Sequence, residues 1–285
     1  MINFIRKLNS FRKYYTFLFI EKYLHLHITK ANYYSPIPEI GKLQKSDFNK
    51  VYSSVLEFSH SDHENLLSQL NKYTKDYVPV VNPGLSSVDS YLLFLMIRDK
   101  KPKKIVEIGS GFSTNIILSA MEFNERESYP CKLISIEPYP KKFLRDINKK
   151  NYELITKKVQ EVDQNIFIDA DILFIDSTHV SKFNSDVNTE VFEIIPKLKI
   201  GAMIHWHDIM IPNDYPEYWI KHGNKFWNES YLVHAFMLYN ESFKTIWASR
   251  FMQNYHPEIV KKYFHSFNPN NINEQLSSFW VERIK

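Results

Sequence analysis

The apolar positions fall into two regimes that meet near residue 103. Before it they recur at helical spacing. Residues 1–35 read as helix, ended by Ser35-Pro36-Ile37-Pro38, where each proline removes a donor and pushes its predecessor toward extended geometry. Residues 46–76 read as one or two polar helices, and Val78-Pro-Val-Val-Asn-Pro-Gly84 is a second break. Ser86 or Ser87 caps a further helix that buries Tyr91, Leu92, Leu95 and Met96. After residue 103 short apolar runs alternate with helical patterns. Strands are predicted at 104–108, 132–136, 152–159, 171–175 and 202–206, with helices at 114–123 and 141–149. Phe183, Val187, Val191, Ile195 and Leu198 set a helix over 180–198. A helix at 231–239 and strands at 243–249 and 277–282 close the chain. Alternation of this kind predicts an α/β, Rossmann-like doubly wound fold, mostly parallel, with a helical N-terminal extension. Residues 1–84 form that extension and 85–285 the main domain. The aperiodic stretch 211–228, with Pro212, Pro216 and Gly223, reads as an insertion near the active edge.

Composition narrows the class. The 36 basic and 32 acidic residues of the 285-residue chain leave a net charge of +4, which gives no case for nucleic acid. The single cysteine, Cys131, rules out an intrachain disulfide and fits a cytoplasmic protein. The apolar run Tyr14–Ile20 is broken by Glu21 and Lys22, too short for an integral membrane segment, and no signal-peptide cleavage site follows it. An interfacial helix over Met1–Leu24 stays open, as does a homodimer surface on the N-terminal helices. Asn228-Glu-Ser and Asn240-Glu-Ser match the glycosylation pattern by chance.

The chemistry starts at Ile105-Val-Glu-Ile-Gly-Ser-Gly-Phe-Ser-Thr114, where a strand runs into two glycines and a helix. The chain must turn sharply there, and backbone without side chains can then approach a ligand. Thr114 stands where a dinucleotide fingerprint has its third glycine. Ile134-Ser-Ile-Glu137 ends in an acid 26 residues after Gly111, where a ribose-binding carboxylate belongs. Asp171-Ile-Leu-Phe-Ile-Asp-Ser-Thr-His179 and Gly201-Ala-Met-Ile-His-Trp-His-Asp208 end at the same edge of the sheet.

In this order the motifs resemble the class I methyltransferases that use S-adenosylmethionine (SAM), above all their small-molecule O-methyltransferase branch. The resemblance covers roughly residues 85–285, and Trp227-Asn-Glu-Ser-Tyr and Phe279-Trp-Val-Glu282 resemble that branch's late helix and last strand. It implies a seven-stranded sheet with one antiparallel strand near the end. It implies a cofactor site formed by Glu107, Gly109, Ser110, Gly111, Ser113, Thr114, Glu137, Pro138, Gln160 and Asp176. Gly109 and Gly111 would face the methionine portion, Glu137 the ribose, Val159 and Gln160 the adenine, and Asp176 the transferred methyl.

Methyl transfer to a hydroxyl needs an aligned acceptor and a base or a metal. Asp176, His179 and His207 are the catalytic candidates, because imidazole titrates near neutrality. A Mg²⁺ site would use Asp176 and Asp208 with His207 or His179. His205 shares a face with His207 but reads as a packed histidine. Asp89 and Ser86 are candidates to reach the cleft. The aromatic residues Tyr215, Tyr218, Trp219, Phe226 and Trp227 suit either a sugar or small-molecule acceptor or simple packing. Two other functions fit the same motifs: a nicotinamide-dependent oxidoreductase, disfavoured by Thr114, and a non-catalytic SAM-binding protein.

Overall fold

The computed structural model describes residues 2–285 apart from 30, 31, 33, 53–55, 57, 80–83, 272 and 273; the side chains of residues 2–11 are not among the described ones. The second proline break therefore lies largely outside the described residues. The chain divides into two compact units, one of residues 1–47 with 217–226 and one of 48–216 with 227–285. This division into compact units does not follow the expected boundary at residue 84. In α2 (His60–Leu70), Leu67 and Leu70 are buried in the core of the second unit, and His63 Nε2 accepts a hydrogen bond from Ala248 N at 3.0 Å. Those contacts draw 48–84 into the sheet-bearing unit.

The first unit contains α1 (Ile2–Leu24) and a short helix from the 211–228 stretch, which we number α8 (Glu217–Lys221). α1 stops at Leu24 rather than residue 35. Among the described residues no helix is long and apolar enough to cross a membrane.

The second unit is built on seven strands: β1 (Lys104–Ile108), β2 (Lys132–Ile136), β3 (Tyr152–Ile155), β4 (Ile172–Ile175), β5 (Met203–Trp206), β6 (Phe243–Ala248) and β7 (Phe279–Arg283). Their order is β3-β2-β1-β4-β5-β7-β6. Strands β1 to β5 pair in parallel, and β7 runs antiparallel to both β5 and β6. Successive side chains point to opposite faces. Ile105, Ile172 and Phe174 accordingly enter one core with α3 (Ser87–Lys100) and α4 (Ser113–Arg126). Val106, Ile108, Leu173 and Ile175 enter a second core with Val191, Ile194, Ile195 and Leu198. Burial on both faces is why these strands read as continuous apolar runs.

The remaining helices are short: α5 (Lys142–Arg145), α6 (Asn165–Ile168), α7 (Asp186–Thr189), α9 (Glu229–Met237), α10 (Ser249–Tyr255) and α11 (Pro257–Tyr263). The helix predicted over 180–198 begins only at Asp186. Asn184 takes a left-handed φ of 56°, and Ser185 Oγ caps the helix by accepting from Asn188 N at 3.2 Å. Phe183 consequently leaves the predicted buried face and is 99% exposed. The helix continues as a wide turn over Glu190–Ile194 and a tight one over Ile195–Lys197 at Pro196.

Candidate active site

The carboxyl ends of β1, β2, β4 and β5 are tied level by backbone bonds. Gly109 N donates to Ile136 O (3.0 Å), Asp176 N to Ile108 O (2.9 Å) and His207 N to Ile175 O (2.9 Å). Gly109 has φ +80°, and a Cβ there would stand 1.8 Å from the carbonyl oxygen of Asp176. Only glycine lets the two strand ends meet this closely. Around Gly111 nothing lies within 4 Å of a would-be Cβ, so its open side belongs to the adjoining cavity.

Two cavities share Gly109, Glu137 and Asp176 as walls. One, of about 350 Å³, is lined also by Pro138, Gln160 and the loop after β4. The other, of about 310 Å³, is lined by Ser110, Gly111, Ser113 and Lys141. Eight of the ten residues expected at the cofactor thus line this pair of cavities. The other two, Glu107 and Thr114, do not reach them. Glu107 is fully buried beneath, accepting from Ser113 Oγ (2.8 Å), Thr114 Oγ1 (2.8 Å) and Ser135 Oγ (2.5 Å). Burial pushes its carboxyl up to about 7, although the three hydroxyls oppose this. Its role is to tie the helix start of α4 to the floor of the glycine turn.

Of the three catalytic candidates, Asp176 faces the cavities, with 30% of its side chain exposed. His179 and His207 stand behind it, both buried. His179 Nε2 lies 3.3 Å from Asp176 Oδ1 and 3.7 Å from Asp208 Oδ2, and its Nδ1 lies 2.8 Å from Glu229 Oε2. Burial opposes charge on this ring, yet bonds to Asp176 and Glu229 and the field of Asp208 hold its pKa well above the ordinary value. His207 Nε2 lies 3.0 Å from Gly84 O and 3.2 Å from Asp208 Oδ1. Burial opposes its charge as well, and Asp208 and Asp176 still raise its pKa. For Asp176, burial is outweighed by His207 and His179, and the carboxyl pKa is lowered.

The expected metal trio of Asp176, Asp208 and His207 does not assemble. The His179 nitrogen lies between the two carboxylates, and His207 is turned to Gly84 O. Among the described residues no three His, Cys, Asp or Glu side chains surround a common metal position. As arranged, these residues do not fit Mg²⁺, which takes near-octahedral oxygen ligands.

Three further expectations resolve by packing. His205 is fully buried, stacked on Phe174 with centroids 4.3 Å apart and 2.9 Å from Ser278 Oγ, so it is a packed histidine. Asp89 does not reach the cleft. It is buried and accepts from Ser86 Oγ (2.9 Å), Ser249 Oγ (2.6 Å) and Ser277 N (2.9 Å), locking α3 to β7. Of the aromatic stretch, Tyr215 is buried, Trp227 lies against His179 with centroids 4.4 Å apart, and Tyr218, Trp219 and Phe226 belong to the first unit.

Sequence reasoning gave Trp227-Asn-Glu-Ser-Tyr as a late helix but placed none of its polar residues at the site. Asn228 Oδ1 accepts from Ser181 N (2.6 Å) and its Nδ2 donates to Ser181 O (3.1 Å). Asn228 N and Glu229 N both donate to His179 O (3.1 and 3.2 Å). Ser230 Oγ accepts from Met210 N at 3.0 Å. Trp227 to Ser230 thereby clasp the loop after β4 to the loop after β5. No local signal marked it, because its partners lie in the loops after β4 and β5.

A mostly parallel sheet of this order, with its last strand reversed, a glycine turn after β1 and acids ending β2 and β4, defines the class I methyltransferase fold. The family model described as a methyltransferase domain matches residues 106–209. An uncharacterized protein of Archaeoglobus fulgidus is 31% identical over 160 residues, which are 48% of this chain and 71% of that protein. Among solved structures, a Podospora anserina methyltransferase bound to S-adenosylhomocysteine (SAH) aligns with TM-score 0.47 and 12% identity, over 82% of this chain and 100% of that one. A Bacillus cereus O-methyltransferase in complex with SAH aligns with TM-score 0.42 and 14% identity, over 81% and 94%. Residues 106–209 are thus a methyltransferase domain.

Proposed function

We propose that the protein transfers the methyl group of SAM to a hydroxyl of a small molecule or sugar. The observation that carries this is the convergence of Gly109, Glu137 and Asp176 on one pair of joined cavities. The backbone at Gly109–Gly111 would hold the methionine portion, Glu137 the ribose hydroxyls, and Pro138 and Gln160 the adenine side. SAM supplies a methyl on a good leaving group, so the protein must only align the acceptor and hold its proton. Asp176 accepts the hydrogen bond of the acceptor hydroxyl and directs an oxygen lone pair at the methyl. As the new O–C bond forms and the S–C bond breaks, the hydroxyl proton passes to Asp176, whose carboxylate His179 and His207 hold in place from behind.

Mg²⁺ has no step in this scheme. A cytoplasmic setting is part of the proposal, on the ground that Cys131 is buried and has no partner cysteine.

Calorimetric titration with SAM and SAH tests the cofactor, and a screen of hydroxylated acceptors tests transfer. Asp176→Asn should retain SAM binding and abolish turnover. Binding with no turnover on any acceptor would favour the non-catalytic reading, and NADH binding in place of SAM the oxidoreductase.

A further inference from the structure

We propose that Glu229 is a positioning residue for the methyl-transfer site, holding the His179 imidazolium in the orientation in which it faces Asp176. The inference rests on the function proposed above. Glu229 begins α9, 50 residues after His179, and is fully buried. Its Oε2 lies 2.8 Å from His179 Nδ1, while its Oε1 has no hydrogen-bond partner among the described residues. A second fully buried acid, Glu190, repels it, and Glu190 Oε1 is also without a partner.

A carboxylate in such surroundings costs stability unless it is paired. An apolar side chain at the head of α9 would pack there at lower cost. The bond that offsets the burial of Glu229 goes to one imidazole nitrogen, and the other nitrogen of that ring faces the cavity-wall acid Asp176 at 3.3 Å and Asp208 at 3.7 Å. Glu229, His179 and Asp176 thus form a line from the interior to the cavity. With Nδ1–H donating to Glu229, the Nε2–H of the imidazolium is directed at the two acids. A bond on one ring nitrogen fixes the direction in which the other points.

The backbone supports the same role. His179 sits at φ +60°, a strained conformation for a residue with a side chain. It is held there by the Asn228 and Glu229 amides on its carbonyl oxygen and by the Trp227 ring on its imidazole. Strain maintained by several contacts at one residue is a mark of a position whose orientation matters.

The test uses the full chain labelled with ¹⁵N at histidine, with His179→Gln to assign the ring signals. In the wild type, the His179 Nδ1 proton should appear downfield and protected from exchange, because it is bonded to a carboxylate. In Glu229→Gln, which keeps the shape, that proton should move upfield. In Glu229→Ala it should be lost to exchange. SAM affinity by calorimetry should stay within about threefold of wild type in Glu229→Gln, since Glu229 does not line the cofactor cavities. An unchanged Nδ1 proton in Glu229→Gln would overturn the proposal, and so would a loss of SAM binding in that variant. If Glu229→Ala does not fold, Glu229→Gln alone decides. Failure of the wild type itself to bind SAM would instead strike the cofactor reading and leave the histidine result to stand separately.

Discussion

Replacing Gly109 with alanine should damage both the sheet edge and the cofactor site. The new Cβ would lie 1.8 Å from the Asp176 carbonyl oxygen and 2.6 Å from its carbon, at a φ of +80°. The left-handed conformation alone costs about 1–2 kcal/mol for a residue with a Cβ. The strand ends must also part by about 1.6 Å to restore ordinary contact. That movement strains the bonds from Gly109 N to Ile136 O and from Asp176 N to Ile108 O. At about 1 kcal/mol each, they bring the total to roughly 3–4 kcal/mol. In a domain of this size the melting temperature should fall by about 10 °C. Calorimetry should find SAM binding weakened more than tenfold, because the cavity wall at Gly109 moves with the strand. Gly111→Ala is the control: no atom lies within 4 Å of its Cβ. It should melt within about 1 °C of wild type while weakening SAM by filling the cavity. If Gly109→Ala melted and bound like wild type, the account of the β1–β4 contact would be wrong.

Three other outcomes are expected. Glu107 has its carboxyl raised from an ordinary 4.5 to about 7, so its contribution to stability is full below pH 4.5 and is lost as pH rises toward 7. Urea unfolding should therefore show Glu107→Gln gaining on wild type by up to about 3 kcal/mol between those limits, and a constant difference across that range would refute the burial argument. Asp89→Ala leaves Ser277 N and two serine hydroxyls without their acceptor, so chemical denaturation should report a loss of about 3 kcal/mol with SAM affinity kept. EDTA should leave methyl transfer unchanged, because His179 Nε2 lies between Asp176 and Asp208; activity restored only by Mg²⁺ would mean that the imidazole withdraws from there.

How much of this was readable beforehand depends on the range of the interactions involved. The run Asp171–Ile175 and the turn at Gly109 are local patterns, in which burial on both faces and a sharp strand-to-helix change leave their mark on neighbouring residues. The strand-end acids Glu137 and Asp176 followed, since strand period and the topology of an open sheet fix which edge they reach. Depth was not legible. Glu107 and Thr114 lie in the same motif as Gly109, but only the packing of Ser135 on the adjacent strand shows that they form the floor and not the wall. The helical spacing that included Phe183 failed because Asn184 and Ser185 end the pattern through a left-handed turn and a cap. Glu229 was invisible because its partner is 50 residues away, and nothing local distinguishes it from a solvated helix-start acid.

The most direct test of the central claim is calorimetric titration of the full-length protein with SAM and SAH. The account predicts micromolar binding of both, weakened by Glu137→Ala. No binding of either ligand by folded protein would contradict it.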